Sequence, residues 1–449
     1  MRHPVATRDS SRGARRFDDA SIHLRVILLL TASYPFGLGE QFLETEVALL
    51  ARDGHRLIIA PVSTTGARRD VPRGVIVDTS LARRLGSRVR LASRGIAQTL
   101  KSRLMAAELR SRSPILTRSP RAILRAVKCL AHAAVIRDWL DELSRRDELR
   151  DEQLLAYSYW LGSTTLGAVL AREAVPNIRV ISRAHGGDLY EHRRVPPYQP
   201  FHRAILSGVD AVYTVSEDGA SYLRSRFPDV GDRIHVSRLG VVDSGTLCLP
   251  SSDGIFRVVS CSFLVPIKRV ELLVRALSEL GYRDPNRRIE WDHIGSGPLE
   301  VEVRDLASRL LPGNVGAHFH GMLSNEQVIR FYQRNPVDLF VNVSASEGVP
   351  VSIMEAQSCG IPVLATAVGG TPEIVNSDNG YLVPSDVDPV TIASVLAQHM
   401  TSMEESERKR DASRRSWKTR YDAMANYGSF SDVLRKGYVS DPIRPLGIR

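Results

Sequence analysis

Short apolar runs alternate along this chain with stretches whose apolar residues recur every three or four positions. The first run is HLRVILLLTA, from His23. It is followed by a turn, SYPFGLGE, a helical stretch, QFLETEVALLARDG, with Gly54 where a helix ends, and a second run, HRLIIAPVS. Such runs have the length of buried strands, and strand, helix, strand in succession implies a parallel sheet with helices packed on it. QLLAYSYW, NIRVISRA, DAVYTVS and RIHVSRLGV continue the series. A second series opens at Phe256 with FRVVSCSF and continues through RRIEWDHIG, VDLFVNVS and IPVLATAV. Between the two lies VVDSGTLCLPSSDG, which has no periodicity and carries the Gly, Ser and Pro of a connector. The expected fold class is α/β, with two Rossmann-like domains over residues 22–245 and 256–420. A linker spans 246–255, a flexible basic tail 1–21, and a helical C-terminal segment 421–449.

A length of 449 residues accommodates these domains, and 43% hydrophobic with 24% charged residues excludes a mostly disordered chain. Cys129, Cys248, Cys261 and Cys359 have no paired spacing, so neither a disulfide framework nor a zinc site is expected. No run approaches the roughly 18–20 apolar residues of a membrane span, and the basic start lacks a signal peptide's core. A cytoplasmic protein is expected. The net charge of +10 calls for a phosphorylated ligand, an anionic membrane or a nucleic acid as partner. Much of it lies between Leu81 and Arg137, where fourteen Lys and Arg face one acid, Glu108. That segment reads either as a solvated helix face or as a surface for anionic lipid. Nucleic acid is disfavoured because the segment has no aromatic residue for base stacking.

The densest chemical signal is SASEGVPVSIMEAQSCGIPVLATAVGGTPEIV, residues 344–375. A helix beginning near Pro350 places Glu347 in the loop after a parallel strand and Glu355 about one and a half turns inside the helix. Open α/β sheets bind ligands at that strand end. A carboxylate can accept hydrogen bonds from two neighbouring hydroxyls, so the pair suits sugar or ribose diols. Taken alone, the same pair reads rather as a capping acid and an exposed helix residue. Asp386-Val387-Asp388 has the spelling of a metal-binding Asp-x-Asp, but Asp388-Pro389 reads as an ordinary helix start. No metal and no cofactor are expected.

SEGVPVSIMEAQSCGIPVLAT resembles the signature of family 4 retaining glycosyltransferases, the group 1 enzymes of the GT-B fold. The resemblance continues through LVPIKRVELLVRAL (264–277), HIGSGPLEVEVRDL (293–306), HFHG ending at Gly321, and NGYLVP (379–384). YPFGLGEQFLETEV (34–47) and SRAHGGDLYEHR (182–193) resemble a subgroup found in bacterial surface-polysaccharide pathways. The resemblance implies a nucleotide-diphosphate sugar as donor and a glycan or lipid-linked acceptor, at the cytoplasmic face of a membrane. It implies that Lys268 binds the diphosphate, Glu355 the ribose and Glu347 the donor sugar, assisted by the backbone at Gly348 and Val349. His185 would act beside the donor sugar with Asp188 nearby, while the loops at Gly37, Gly39, Gly295 and Gly297 would approach the donor. It also implies a last helix that crosses back to the first domain, with Trp417, Tyr421 and Tyr427 as anchors. The chain departs from the family where an Arg within a Gly-Arg-Leu triplet commonly precedes the Lys. Here Ser262-Phe263-Leu264 stands, and Arg269 is the expected substitute cation. Two other readings remain at this stage: a nucleotide-sugar epimerase of the same fold, and a non-catalytic basic protein binding membrane or nucleic acid.

Overall fold

A computed structural model describes residues 26–37, 39–87 and 102–436. The expected tail 1–21, Leu38, residues 88–101 of the basic segment and the last residues, 437–449, lie outside the described residues. The first sheet holds β1 (Val26–Thr31), β2 (Arg56–Pro61), β3 (Ile76–Val77), β4 (Leu154–Ser158), β5 (Arg179–Ala184), β6 (Ala211–Thr214) and β7 (Ile234–Val236). They run in the order β3-β2-β1-β4-β5-β6-β7, every neighbour parallel. Successive strand side chains point to opposite faces, and β1 is buried on both. Val26, Leu28 and Leu30 pack in one cluster with Ile136 and Trp139 of the helix Pro120–Ser144. Ile27 and Leu29 pack in another with Leu43 and Val47 of the helix Leu43–Arg52.

The second sheet holds β8 (Phe256–Cys261), β9 (Ile289–Ile294), β10 (Val315–Phe319), β11 (Leu339–Asn342), β12 (Val363–Thr366) and β13 (Gly380–Val383). Its order is β10-β9-β8-β11-β12-β13, again all parallel. The expected strands are all present. The three not expected, β3, β10 and β13, stand at sheet edges, where one flank lacks a neighbour and a long apolar run is not required.

The crossing between domains differs from the expected linker 246–255. Within that segment Cys248 N–H donates to Cys359 O, and Val337 N–H donates to Leu249 O, so it already lies against the second domain. The chain crosses earlier, at Gly240-Val241, and crosses back at Tyr421-Asp422. The two passes meet: Val241 N–H donates to Tyr421 O at 2.9 Å and Ala423 N–H to Val241 O at 3.1 Å. The helix Met403–Arg420 ends there and the helix Ala423–Lys436 continues onto the first domain, where Phe430 and Leu434 join the cluster of Ile27 and Leu29. Trp417, Tyr421 and Tyr427 are buried around the junction, as anchors should be. Only glycine fits at position 240, because a Cβ there would lie 2.5 Å from Ala423 Cα. Gly240→Val is therefore expected to cost about 1–3 kcal/mol. The melting temperature should fall and the last helix should become more protease-sensitive, whereas Gly428→Ala, inside that helix where a Cβ meets nothing within 4 Å, should lower neither stability nor protection and should raise the melting temperature slightly. Equal melting temperatures for Gly240→Val and wild type would refute the close-packed crossing.

Candidate active site

Strand order reverses beside β1 in the first sheet and beside β8 in the second, and the crevices at those switch points face each other. Between them is a cavity of about 350 Å³. Gly39, Glu40 and Phe42 wall it from the first domain; Lys268, Glu347 and Glu355 wall it from the second.

On the second domain, β8 leads through Ser262–Leu264 into a single tight turn, Pro266–Lys268. Lys268 Nζ donates to Glu347 Oε1 at 2.5 Å, and Asn342 Nδ2, at the end of β11, donates to the same oxygen at 3.4 Å. The loop holding Glu347 is fixed from behind. A Cβ on Gly369 would lie 2.0 Å from Glu347 O, and Gly370 N–H donates to Gly348 O at 2.7 Å. Val349 then lines the cavity, and the helix Val351–Ser358 starts behind Pro350. Glu355 sits in that helix, 5% exposed, and burial pushes its carboxyl up to about 8. Gly295 lines the cavity in a left-handed conformation that brings the loop onto Ser262, since a Cβ there would lie 1.9 Å from Ser262 O.

On the first domain, β5 carries Arg183 into a buried cluster. Arg183 Nη2 and Tyr157 Oη both donate to Glu46 Oε1, and the guanidinium lies 4.5 Å from the Phe430 ring centroid. This fixes the strand end that presents His185. The His185 ring packs against Trp160, Tyr159 and Phe42, with centroids 4.5, 4.9 and 6.1 Å away. Both of its ring nitrogens are buried and make no hydrogen bond, with Asp188 Oδ2 3.9 Å from Nδ1. Next to it, Gly186 approaches Gly348 of the other domain: a Cβ on Gly186 would lie 2.9 Å from Gly348 N and 2.1 Å from Arg193 Nη1. Glu373 holds the domains together nearby, accepting from Glu217 N–H at 3.0 Å and Asp218 N–H at 2.9 Å at the start of the helix Glu217–Arg226.

Several expected residues are placed differently. Arg269 does not reach the cavity. It sits in the left-handed region (φ 49°), and its guanidinium donates to Val343 O, Ser344 O and Ser385 O, tying the end of β11 to the segment after β13. Asp188 is occupied by backbone, accepting from Leu161 N–H and His185 N–H, so it positions His185 from behind. Gly37 packs on the loop at Thr65 and Gly66 and is absent from the wall that Gly39 joins. Gly297 secures its loop on Leu264, where a Cβ would lie 2.5 Å from Leu264 O. Asp388 caps the helix Pro389–Thr401 through Thr391 N–H, as its spelling suggested. Among the described residues no three His, Cys, Asp or Glu side chains group as metal ligands.

Three residues were missed. Glu40 accepts from Ala32, Ser33 and Tyr34 N–H and from Trp160 Nε1, closing the end of β1. Asn342 braces Glu347. Arg193 is a half-buried cation beside Gly186. Burial lowers its pKa and the charge of Glu347 opposes that shift, which places it in the field of the Lys268–Glu347 pair. Only the spacing of Arg193 from His185 in SRAHGGDLYEHR could have pointed to it.

Two parallel-sheet domains that face each other across such a cleft, with the last helix returned to the first, constitute the GT-B fold. Residues 251–416 match the family described as Glycosyl transferases group 1. The putative colanic acid biosynthesis glycosyltransferase WcaL of Escherichia coli (strain K12) is 26% identical over 222 residues, 47% of this chain and 53% of that protein. The chain thus spans about half the length of that relative. A GDP-mannose-dependent monoacylated alpha-(1-6)-phosphatidylinositol monomannoside mannosyltransferase of Corynebacterium glutamicum is 25% identical over 61% of this chain and 72% of its own. Among solved structures, sucrose-phosphate synthase from Thermosynechococcus elongatus superposes with a TM-score of 0.66 at 15% identity, covering 92% of this chain and 99% of that one. The lipopolysaccharide outer core galactosyltransferase WaaB gives 0.64 at 14% identity, with the same coverage.

Proposed function

We propose that this protein is a retaining, metal-independent glycosyltransferase of family 4 type. It moves a sugar from a nucleotide-diphosphate sugar to a glycan or lipid-linked acceptor in bacterial surface-polysaccharide synthesis. The observation that carries the reading is the convergence of Lys268 from the turn after β8, Glu347 from the loop after β11 and the buried Glu355 from the helix Val351–Ser358 on one interdomain cavity. The group 1 match over residues 251–416 and the relatives named above support it.

In this reading Glu355 accepts from the ribose hydroxyls and Glu347 from a donor-sugar hydroxyl. Lys268 and Arg193 oppose the charge that grows on the diphosphate, helped by backbone N–H groups at Gly348 and Val349. The bond between the anomeric carbon and the diphosphate oxygen breaks, the acceptor oxygen bonds to that carbon on the same face, and the acceptor proton passes to the departing phosphate oxygen. His185, whose ring nitrogens make no hydrogen bond within the chain, would stand beside the sugar. The acceptor approaches from the first domain. Exposed Arg103, Arg110, Arg118 and Arg121 flank exposed Leu109, Ile123 and Leu124, a composition suited to peripheral docking on the anionic cytoplasmic face of a membrane.

A panel of nucleotide sugars tests the reading by thermal shift, since a ligand at one hundred times its Kd stabilises by about 2.7 kcal/mol. At least one nucleotide sugar should raise the melting temperature more than its bare nucleoside diphosphate does. Glu347→Ala should erase that difference. No shift with any member would overturn the assignment. An epimerase would convert the donor with no acceptor present.

A further inference from the structure

The first domain contains a second cavity, of about 410 Å³. Trp160 lines it while donating through Nε1 to Glu40, which walls the donor cavity, and the His185 ring lies 4.5 Å from that indole. One hydrogen bond, Trp160 to Glu40, thus links the walls of the two spaces.

Charge distinguishes this cavity. On the helix Pro120–Ser144, Arg125, Lys128 and His132 recur at the three- and four-residue spacing of one helix face, and all three line it. Arg194 completes the wall from the loop after β5. Arg125, Lys128 and Arg194 form no ion pair with any carboxylate among the described residues. Arg125 donates to Val195 O, Pro196 O and Tyr198 O, and Arg194 to Gly187 O. The pKa of Arg125 is lowered by burial and then by the charge of Arg194, and that of His132 by burial and then by Lys128, so like charges crowd here. The one acid in the wall, Asp188, is taken up by two backbone N–H groups. His202, 2% exposed, also lines the cavity. Its Nε2 donates to Asp188 O, leaving Nδ1 buried as an acceptor with no partner. The wall thus offers three cations without a carboxylate partner, exposed Lys128 and Arg194 and half-buried Arg125, beside one buried acceptor with no partner, the complement of a ligand that carries negative charge and a hydroxyl.

We infer that this cavity binds a phosphoryl group of the acceptor, held by Lys128 and Arg194 with Arg125 behind them, so that the acceptor is a phosphorylated glycoside. The inference rests on the glycosyltransferase reading and names the substrate class of that site. Two sources share the chemistry: a lipid-borne phosphate, whose chain would leave past exposed Leu124 and Val195, and a soluble sugar phosphate.

Binding of farnesyl phosphate and glucose 1-phosphate is measured on the full chain by thermal shift and by the part of the tryptophan fluorescence that Trp160→Phe removes. Lys128→Glu/Arg194→Glu is compared with Lys268→Ala. At least one phosphoryl probe should bind, with affinity reduced tenfold or more in the double variant and retained in Lys268→Ala. Tighter binding of farnesyl phosphate identifies the lipid source, and tighter binding of glucose 1-phosphate the soluble one. Binding that survives the double variant, equal binding of glucuronate, or no binding of any probe would overturn the inference. Nucleoside diphosphates are bound in parallel. Their loss in Lys268→Ala alone shows that the donor reading stands or falls separately, and an unchanged melting temperature in the double variant shows that it is folded.

Discussion

Replacing Lys268 by Ala should lower transfer by about 10²–10³-fold, the range found when a preorganised group facing transition-state charge is removed. Lys268 Nζ is the cation that reaches Glu347 at the mouth of the donor cavity. A departing diphosphate competes with Glu347 for it, so the effect falls on turnover as well as donor affinity. Arg193→Ala should also lower turnover, by about tenfold or more, with a smaller change in donor KM. Arg193 comes from the first domain, and it faces Glu347 only because Gly186 and Gly348 bring the domains close. Arg269→Ala supplies the contrast: donor KM should stay at the wild-type value while the melting temperature drops, because Val343 O and Ser385 O lose the Arg269 donor and Ser344 O keeps only Thr366 Oγ1. Release of nucleoside diphosphate, measured against donor concentration, resolves all three. If Arg269→Ala raised donor KM as far as Lys268→Ala does, the assignment of cations would be reversed.

That contrast also marks what the sequence could and could not reveal. Adjacent residues in a sequence need not share a side of the chain. Lys268 closes a tight turn and Arg269 takes a left-handed conformation before the helix Val270–Arg283, so their side chains diverge. Central strands such as β1, β4 and β5 were legible because each is an apolar run buried on both faces, and Glu347 and Glu355 were legible because a strand, loop and helix fix their separation. Arg193, Glu40 and Asn342 were not, since Arg193 acquires its role across the cleft and the other two from the way a loop folds back, Glu40 onto the end of β1 and Glu347 onto Asn342. The basic segment was legible as charge but not as geometry. Arg84 pairs with Glu142, Arg112 with Glu191 and Arg137 with Asp138, while Arg125 and Lys128 line a cavity. Part of the +10 that suggested a membrane is thus spent inside the first domain.

Glu355 should give opposite pH responses in stability and in ligand binding. Its carboxyl is raised by burial from 4.5 to about 8, so the folded chain holds the proton more tightly than the unfolded chain does. The stability this contributes is complete below pH 4.5 and is lost as pH rises toward 8, at about 1.4 kcal/mol per pH unit inside that window. Glu355→Gln cannot ionise. The unliganded variant should therefore melt above wild type at pH 8 to 9, and the two curves should converge near pH 5. A ribose diol asks for the reverse, because an ionised carboxylate accepts its two hydroxyls better than the protonated acid does. Nucleotide affinity in the wild type should climb as pH approaches 8, and Glu355→Gln should weaken it by about ten- to a hundredfold at that pH, the worth of a hydrogen bond to a charged group. A 2′-deoxynucleotide separates this from any general effect of pH on the diphosphate, since it should bind weakly with little slope. If the deoxy ligand showed the same rise with pH, or if Glu355→Gln bound ribonucleotide as wild type does, Glu355 would be a buried structural acid and the ribose would be held elsewhere.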